Sequence, residues 1–167
     1  MDTIEYRTMD KAAWQRGPWD DEPDKIQWQD EATEMPCLIN RNRMGALCGY
    51  VGVPVGHPWH GQGYDDCRLP DDGWPDVHGG LTYSAGCDHS DDPSAGICHV
   101  PGEGEPDNVW WLGFDCAHAW DKSDMGYPQS MLDTFGVSVL PYRDIAYVRR
   151  EVARLAAQAA LAKEPKP

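Results

Sequence analysis

Apolar and polar positions change period along this chain, and the changes predict its elements. Residues 36–40 and 46–53 are apolar-rich runs separated by Arg41-Asn42-Arg43-Met44-Gly45, the pattern of two strands joined as a hairpin. Gly49 and Gly52 inside the second run imply a bulge or a close backbone approach. Residues 109–115 are almost wholly apolar, which predicts a central strand covered on both faces. Weaker signals place a loop entering a short strand over residues 77–84 and a brief strand over 97–100. From Tyr142 to about Lys163 the period lengthens: Ile145, Val148, Val152, Leu155 and Ala159 recur at three and four residues, one apolar stripe of a long helix that Pro165 stops. Asp10 to Arg16 reads as a short helix capped by Asp10 and ended by Gly17-Pro18. The fold class expected is α+β: a small, mainly antiparallel sheet packed by a long C-terminal helix, with long acidic loops. The organisation expected is an N-terminal arm over 1–30, anchored by Trp14, Trp19 and Trp28, a single domain over 31–163, and a tail at 164–167.

Composition narrows the function classes. The chain has 167 residues and a formal charge of −14. Residues 61–107 hold eleven acidic side chains against Arg68 alone, whereas the C-terminal helix region is mildly basic. Such a surface disfavours direct nucleic-acid binding, which needs positive charge against phosphate. It leaves solvated loops, cation binding, or imitation of a nucleic-acid backbone in a partner's basic cleft. No segment carries the spacing of a calcium loop. No run of 18 apolar residues and no leader-like start appear, so a cytoplasmic protein without membrane contact is expected.

Candidate chemistry gathers in two places. Asp115, His118 and Asp121 follow the apolar strand directly, so a rigid scaffold holds them, and each carboxylate lies one turn from the imidazole. His78 precedes Gly79-Gly80, where backbone comes close to a neighbour, and Thr82, Tyr83 and Ser84 add hydroxyls beyond it. If the strands are neighbours, His78, Asp115, His118 and Asp121 converge as an acid/base group, with His78, Asp115 and His118 as ligands of a divalent metal such as zinc. Gly79, Gly80, Thr82 and Tyr83 would then line the ligand site. The plainer alternative is a helix cap and a turn histidine. Second, Cys87, His89, Cys98 and His99 offer two Cys/His pairs for a structural zinc site, although no spacing matches a zinc finger. Disulfides are not expected without a secretion signal, and Cys37, Cys48 and Cys116 read as small buried hydrophobes. Arg143 and Tyr147, at the start of the long helix, either serve that helix or face the same cleft, while Arg150 and Glu151 pair elsewhere on the surface.

The segments Leu47-Cys48-Gly49-Tyr50-Val51-Gly52-Val53-Pro54, His78-Gly79-Gly80-Leu81-Thr82-Tyr83, Trp110-Trp111-Leu112-Gly113-Phe114-Asp115-Cys116-Ala117-His118 and Tyr142-Arg143-Asp144 appear in this order. As a set, over about residues 30 to 160, they resemble a family of small uncharacterised proteins of bacteriophages and prophage-bearing bacteria. The family has no established activity, so the resemblance implies an origin, and with it the host cytoplasm, but no catalytic residues. Trp120 departs from the pattern, where a glycine would tighten the turn. The function expected is a small accessory protein whose His/Asp site binds a divalent metal or a small polar ligand, with hydrolysis as the matching chemistry. The alternative is an acidic binding protein without chemistry that inhibits a host defence or nucleic-acid-handling protein through a basic surface.

Overall fold

The computed structural model describes residues 1–163; the tail at 164–167, with Pro165 as helix stop, lies outside the described residues. Six strands form one antiparallel sheet: β1 (Ile4–Tyr6), β2 (Lys25–Gln29), β3 (Pro36–Arg41), β4 (Leu47–Pro54), β5 (Tyr83–Gly86) and β6 (Val109–Asp115), in the order β1-β2-β3-β4-β6-β5. A six-residue helix, α1 (Gln129–Thr134), precedes the long helix α2 (Ile145–Ala162). The α+β class and the packing helix are as the periodicity predicts.

The apolar stripe of α2 explains why the helix lies where it does. Val148, Val152, Leu155, Ala156 and Ala159 are fully buried against Ile39, Leu47, Val51, Leu112 and Phe114 of the sheet. Burial of each large aliphatic side chain contributes about 1.5–3 kcal/mol, so this face carries much of the core. Gly49 marks a close approach and no bulge: a Cβ there would stand 2.6 Å from both Val152 Cγ2 and Phe114 Cζ. Asp144 ends the preceding loop in extended conformation, and its carboxylate accepts the Tyr147 N–H at 2.7 Å, which caps α2.

The opposite sheet face buries Leu38, Cys48, Tyr50, Val109 and Trp111, and the loop from Cys87 to Asn108 covers part of it. Lys25 and Gln27 tie that loop down. The Lys25 ammonium donates to the Pro93 and Ala95 carbonyls at 2.8 and 3.0 Å, and Gln27 exchanges two hydrogen bonds with the Val100 backbone.

Several expectations are corrected. Residues 1–30 are no separate arm, because β1 and β2 belong to the sheet; two buried charges, Asp24 and Lys25, broke the apolar pattern there. Residues 10–16 form turns, because the Asp10 carboxylate closes a local bond to the Ala12 N–H that competes with helix. Residues 97–100 make no strand; their backbone is engaged by Gln27 and Asp88. Helix α1 was not legible, since only Leu132 of its residues is buried and no stripe forms.

Candidate functional site

Strand β6 ends at Asp115, and the chain turns at once. Ala117 N–H bonds to Asp115 Oδ1 at 2.9 Å, and Asp121 N–H bonds to the His118 carbonyl at 2.9 Å. That turn brings His118 and Asp121 side by side. His78 arrives from the loop before β5, in a turn closed by Gly80 N–H to the Val77 carbonyl at 3.0 Å. Gly79 sits at φ +67°, and a Cβ there would run into the imidazole of His118. Only glycine satisfies both demands, so the close approach expected at Gly79 is made to the His118 ring.

Asp121 is the hub. It is 1% exposed, and its Oδ2 lies 2.7 Å from His78 Nε2 and 3.4 Å from His118 Nδ1. Its Oδ1 accepts the Arg143 Nε–H at 2.9 Å. Burial alone would raise the Asp121 pKa, but the hydrogen bonds from Arg143 and His78 outweigh it and hold the carboxyl below its usual value. His78 Nδ1 lies 2.9 Å from the Tyr147 hydroxyl, and the His78 N–H donates to Glu151 Oε2 at 2.8 Å. Helix α2 therefore holds the site through Tyr147 and Glu151, and Arg143, just ahead of its cap, adds the contact to Asp121. His118 stacks on Trp120, with ring centroids 4.8 Å apart and planes 8° from parallel, so the indole covers one face of the imidazole.

One atom stands out. His118 Nδ1 is buried without a hydrogen-bond partner among the described residues, although it faces Asp121. His78, His118 and Asp121 each offer a ligand atom, and these lie within 4.8 Å of one another. Two imidazoles and one carboxylate form a donor set that zinc and other divalent transition metals accept, with positions left for water.

Asp115 is expected beside His78 and His118 as a ligand, but the carboxylate grouped with the two imidazoles within 4.8 Å is that of Asp121. Asp115 stands 3.8 Å from His118 Nδ1, half-buried, and accepts the Thr82 hydroxyl at 3.0 Å, which makes it a rim residue. Gly80 faces open space near the turn. Tyr83 points away, because strand alternation puts it on the opposite sheet face with its ring 5.3 Å from that of Tyr50. Glu151 does not pair with Arg150; it holds His78 and lies 3.7 Å from Arg154.

The second predicted group is also altered. Cys87 and Cys98 are joined as a disulfide, against the expectation of free thiols, because the loop returns to its own origin between them. His99 and Asp107 adjoin the pair, while the exposed His89 lies at its rim. Cys37, Cys48 and Cys116 are buried, as expected, and burial pushes the Cys48 thiol up to about 11.

No protein-family model, no curated protein and no solved structure matches the chain.

Proposed function

We propose that this protein is a small phage-type accessory protein whose His78–His118–Asp121 cluster binds a divalent metal ion and uses it on a small polar ligand, with hydrolysis as the chemistry. The observation that carries the reading is the unpartnered, buried Nδ1 of His118 beside a carboxylate oxygen shared with His78. A buried polar atom left without a partner costs about 1–3 kcal/mol, which a bound cation would offset. The surroundings fit the same reading. With Nε2 as ligand, His78 would donate its Nδ1–H to the Tyr147 hydroxyl, and Arg143 would hold the free oxygen of Asp121; metal-bound imidazoles and carboxylates use such outer partners. Asp115 and Thr82, at the solvent side, stand where an activated water or a substrate hydroxyl would be oriented.

The test is elemental analysis for zinc, manganese, iron and nickel on protein kept oxidised at Cys87–Cys98, beside the His118→Ala variant. About one metal per chain, lost in the variant, is expected; no metal in the wild type after reconstitution with each ion would overturn the proposal.

A second reading draws on the loop at 61–76, where Asp65, Asp66 and Asp71 are exposed beside Trp74, itself 64% exposed. There the protein would act without chemistry, covering a basic site on a host defence or nucleic-acid-handling protein. Charge reversal at Asp65, Asp66, Asp71 and Asp72 would then abolish binding and the phenotype in an infection assay, the wild-type affinity would fall with salt, and His118→Ala would leave binding and phenotype intact. No helix among the described residues is long and apolar enough to cross a membrane.

A further inference from the structure

The loop over the second sheet face carries its own ligand group. Cys87 and Cys98, joined in a disulfide, close a loop whose far side is clamped by Lys25 and Gln27. Asp107 Oδ1 stands 3.9 Å from each sulfur. His99 follows Cys98 in sequence, is 6% exposed, and has a buried Nδ1 with no hydrogen-bond partner among the described residues. Its ring packs edge-on against Trp111, with centroids 5.4 Å apart. The ligand atoms of Cys87, Cys98, His99 and Asp107 all lie within 4.8 Å of one another. His89 Nδ1 lies 4.0 Å from Cys98 Sγ and 3.8 Å from Asp107 Oδ2.

A disulfide explains the two sulfurs and leaves the other two groups unexplained. An unpaired buried imidazole and a carboxylate converging on a cysteine pair are the remaining half of a four-ligand zinc centre. In a tetrahedral site with Zn–S of about 2.3 Å the two sulfurs stand roughly 3.8 Å apart, so the disulfide and the metal exclude each other. We propose that Cys87, Cys98, His99 and Asp107 form a redox-gated structural zinc site, distinct from the His78 cluster. The oxidised chain holds the loop by the disulfide, and the reduced chain holds it by Zn2+. Two electrons and two protons from a dithiol reductant, which itself closes to a disulfide, convert the pair to two thiols. Those thiols release their protons to solvent as they bind the metal, and the carboxylate and neutral imidazole complete the shell. The gate makes zinc at this site depend on the redox state around the protein, while the His78 cluster, which contains no sulfur, is indifferent to it.

Cobalt(II) reports the difference, because thiolate ligation gives charge-transfer bands in the near ultraviolet that nitrogen and oxygen ligands lack. The full chain, stripped of metal, is titrated with Co2+ before and after treatment with a phosphine reductant, and the cobalt is then displaced with Zn2+. Thiolate bands are expected only after reduction, rising with one cobalt per chain beyond any taken up by the oxidised protein, retained in His118→Ala and lost in Cys98→Ser. His99→Gln, which leaves the disulfide in place in the oxidised protein, is expected to weaken cobalt binding at least about tenfold in the reduced protein. Absence of thiolate bands in the reduced wild type would overturn the proposal, as would bands that survive in Cys98→Ser or unchanged affinity in His99→Gln.

Discussion

Two buried charged clusters flank the start of α2, and they are built differently. In the first, the Arg41 guanidinium, with no side-chain exposure, donates to Asp24, Glu22, the Tyr142 hydroxyl and the carbonyls of Gly45 and Pro23. Asp24 also receives Lys11 and the N–H groups of Thr8 and Met9. In the second, Asp121 joins His78 and Arg143, yet His118 Nδ1, 3.4 Å from Asp121 Oδ2, has no hydrogen-bond partner among the described residues. Both sets are buried, and both tie an early or middle segment to α2. The difference lies in saturation. The Arg41 set has its donors matched and serves as a structural rivet, whereas the His78 set leaves one ring nitrogen without a hydrogen bond beside a carboxylate. Burial of charge alone does not distinguish the two clusters; the polar atom left without a hydrogen bond in the second does, and the proposed function rests on it.

The contrast is open to attack at graded cost. Arg41→Ala strands Asp24 and Glu22, and the loss expected is about 3–5 kcal/mol in urea unfolding, with metal content unchanged in whatever fraction folds. Equal loss of metal would merge the two clusters into one. Gly79→Ala places a Cβ at φ +67° against His118, so a loss of about 1–3 kcal/mol is expected together with loss of bound metal. Wild-type stability with normal metal would show that the His118 ring is free to move.

Acid separates the clusters from a third kind of buried group. His57 is 5% exposed; its Nε2 donates to the Ala159 carbonyl at 2.8 Å, and its Nδ1 accepts the Trp59 N–H at 3.0 Å. Burial lowers its pKa below the usual 6.5, with Lys163 and His60 acting in the same direction and the Ala159 carbonyl opposing. Burial lowers that of His99 as well, against the opposing pull of Asp107 and Glu105. The unfolded chain then binds protons that the folded chain refuses. Stability is therefore complete above pH 6.5 and falls as pH drops below it, by at most about 1.4 kcal/mol per pH unit for each group. Asp24 and Asp121, both held low by their hydrogen bonds and ionic partners against the opposing effect of burial, withdraw their contribution only below about 3.8. Urea midpoints measured against pH should show two descending steps, and His57→Gln should shrink the upper one alone.

His118→Ala is the sharpest test of the contrast because its structural cost is small. It removes a nitrogen without a hydrogen bond and a ring whose side chain is 18% exposed, so a change of about 1 kcal/mol is expected while metal content drops to background. Trp120→Ala should do least. It removes one stacked ring that is 53% exposed, for a loss of about 0.5–1 kcal/mol and faster metal release, followed by chelator competition.

Much of the architecture was legible along the chain, for a local reason. Period and apolar runs depend on neighbours in sequence, so β3, β4, β6 and α2 emerge within a residue or two of their ends, apart from the start of α2, which lies three residues in, at Ile145. The residue types of the His/Asp group were visible too, because Asp115, His118 and Asp121 lie within one turn of a strong strand. The structure alone placed the remainder. Strands β1 and β2 owe their position to Lys25, Gln27 and Asp24, polar side chains that are buried only because a distant loop or Arg41 satisfies them. Tyr142-Arg143-Asp144 reads as a helix start, yet its three side chains go to three places: the Arg41 set, Asp121, and the α2 cap. The choice of Asp121 over Asp115, the covering of His118 by Trp120, and the meeting of Cys87 with Cys98 depend likewise on which loops return to which strand. Close as these residues are in sequence, their pairing is set by how the loops fold back, which apolar periodicity does not encode; the His78–Asp121 contact across 43 residues is wholly a product of tertiary packing.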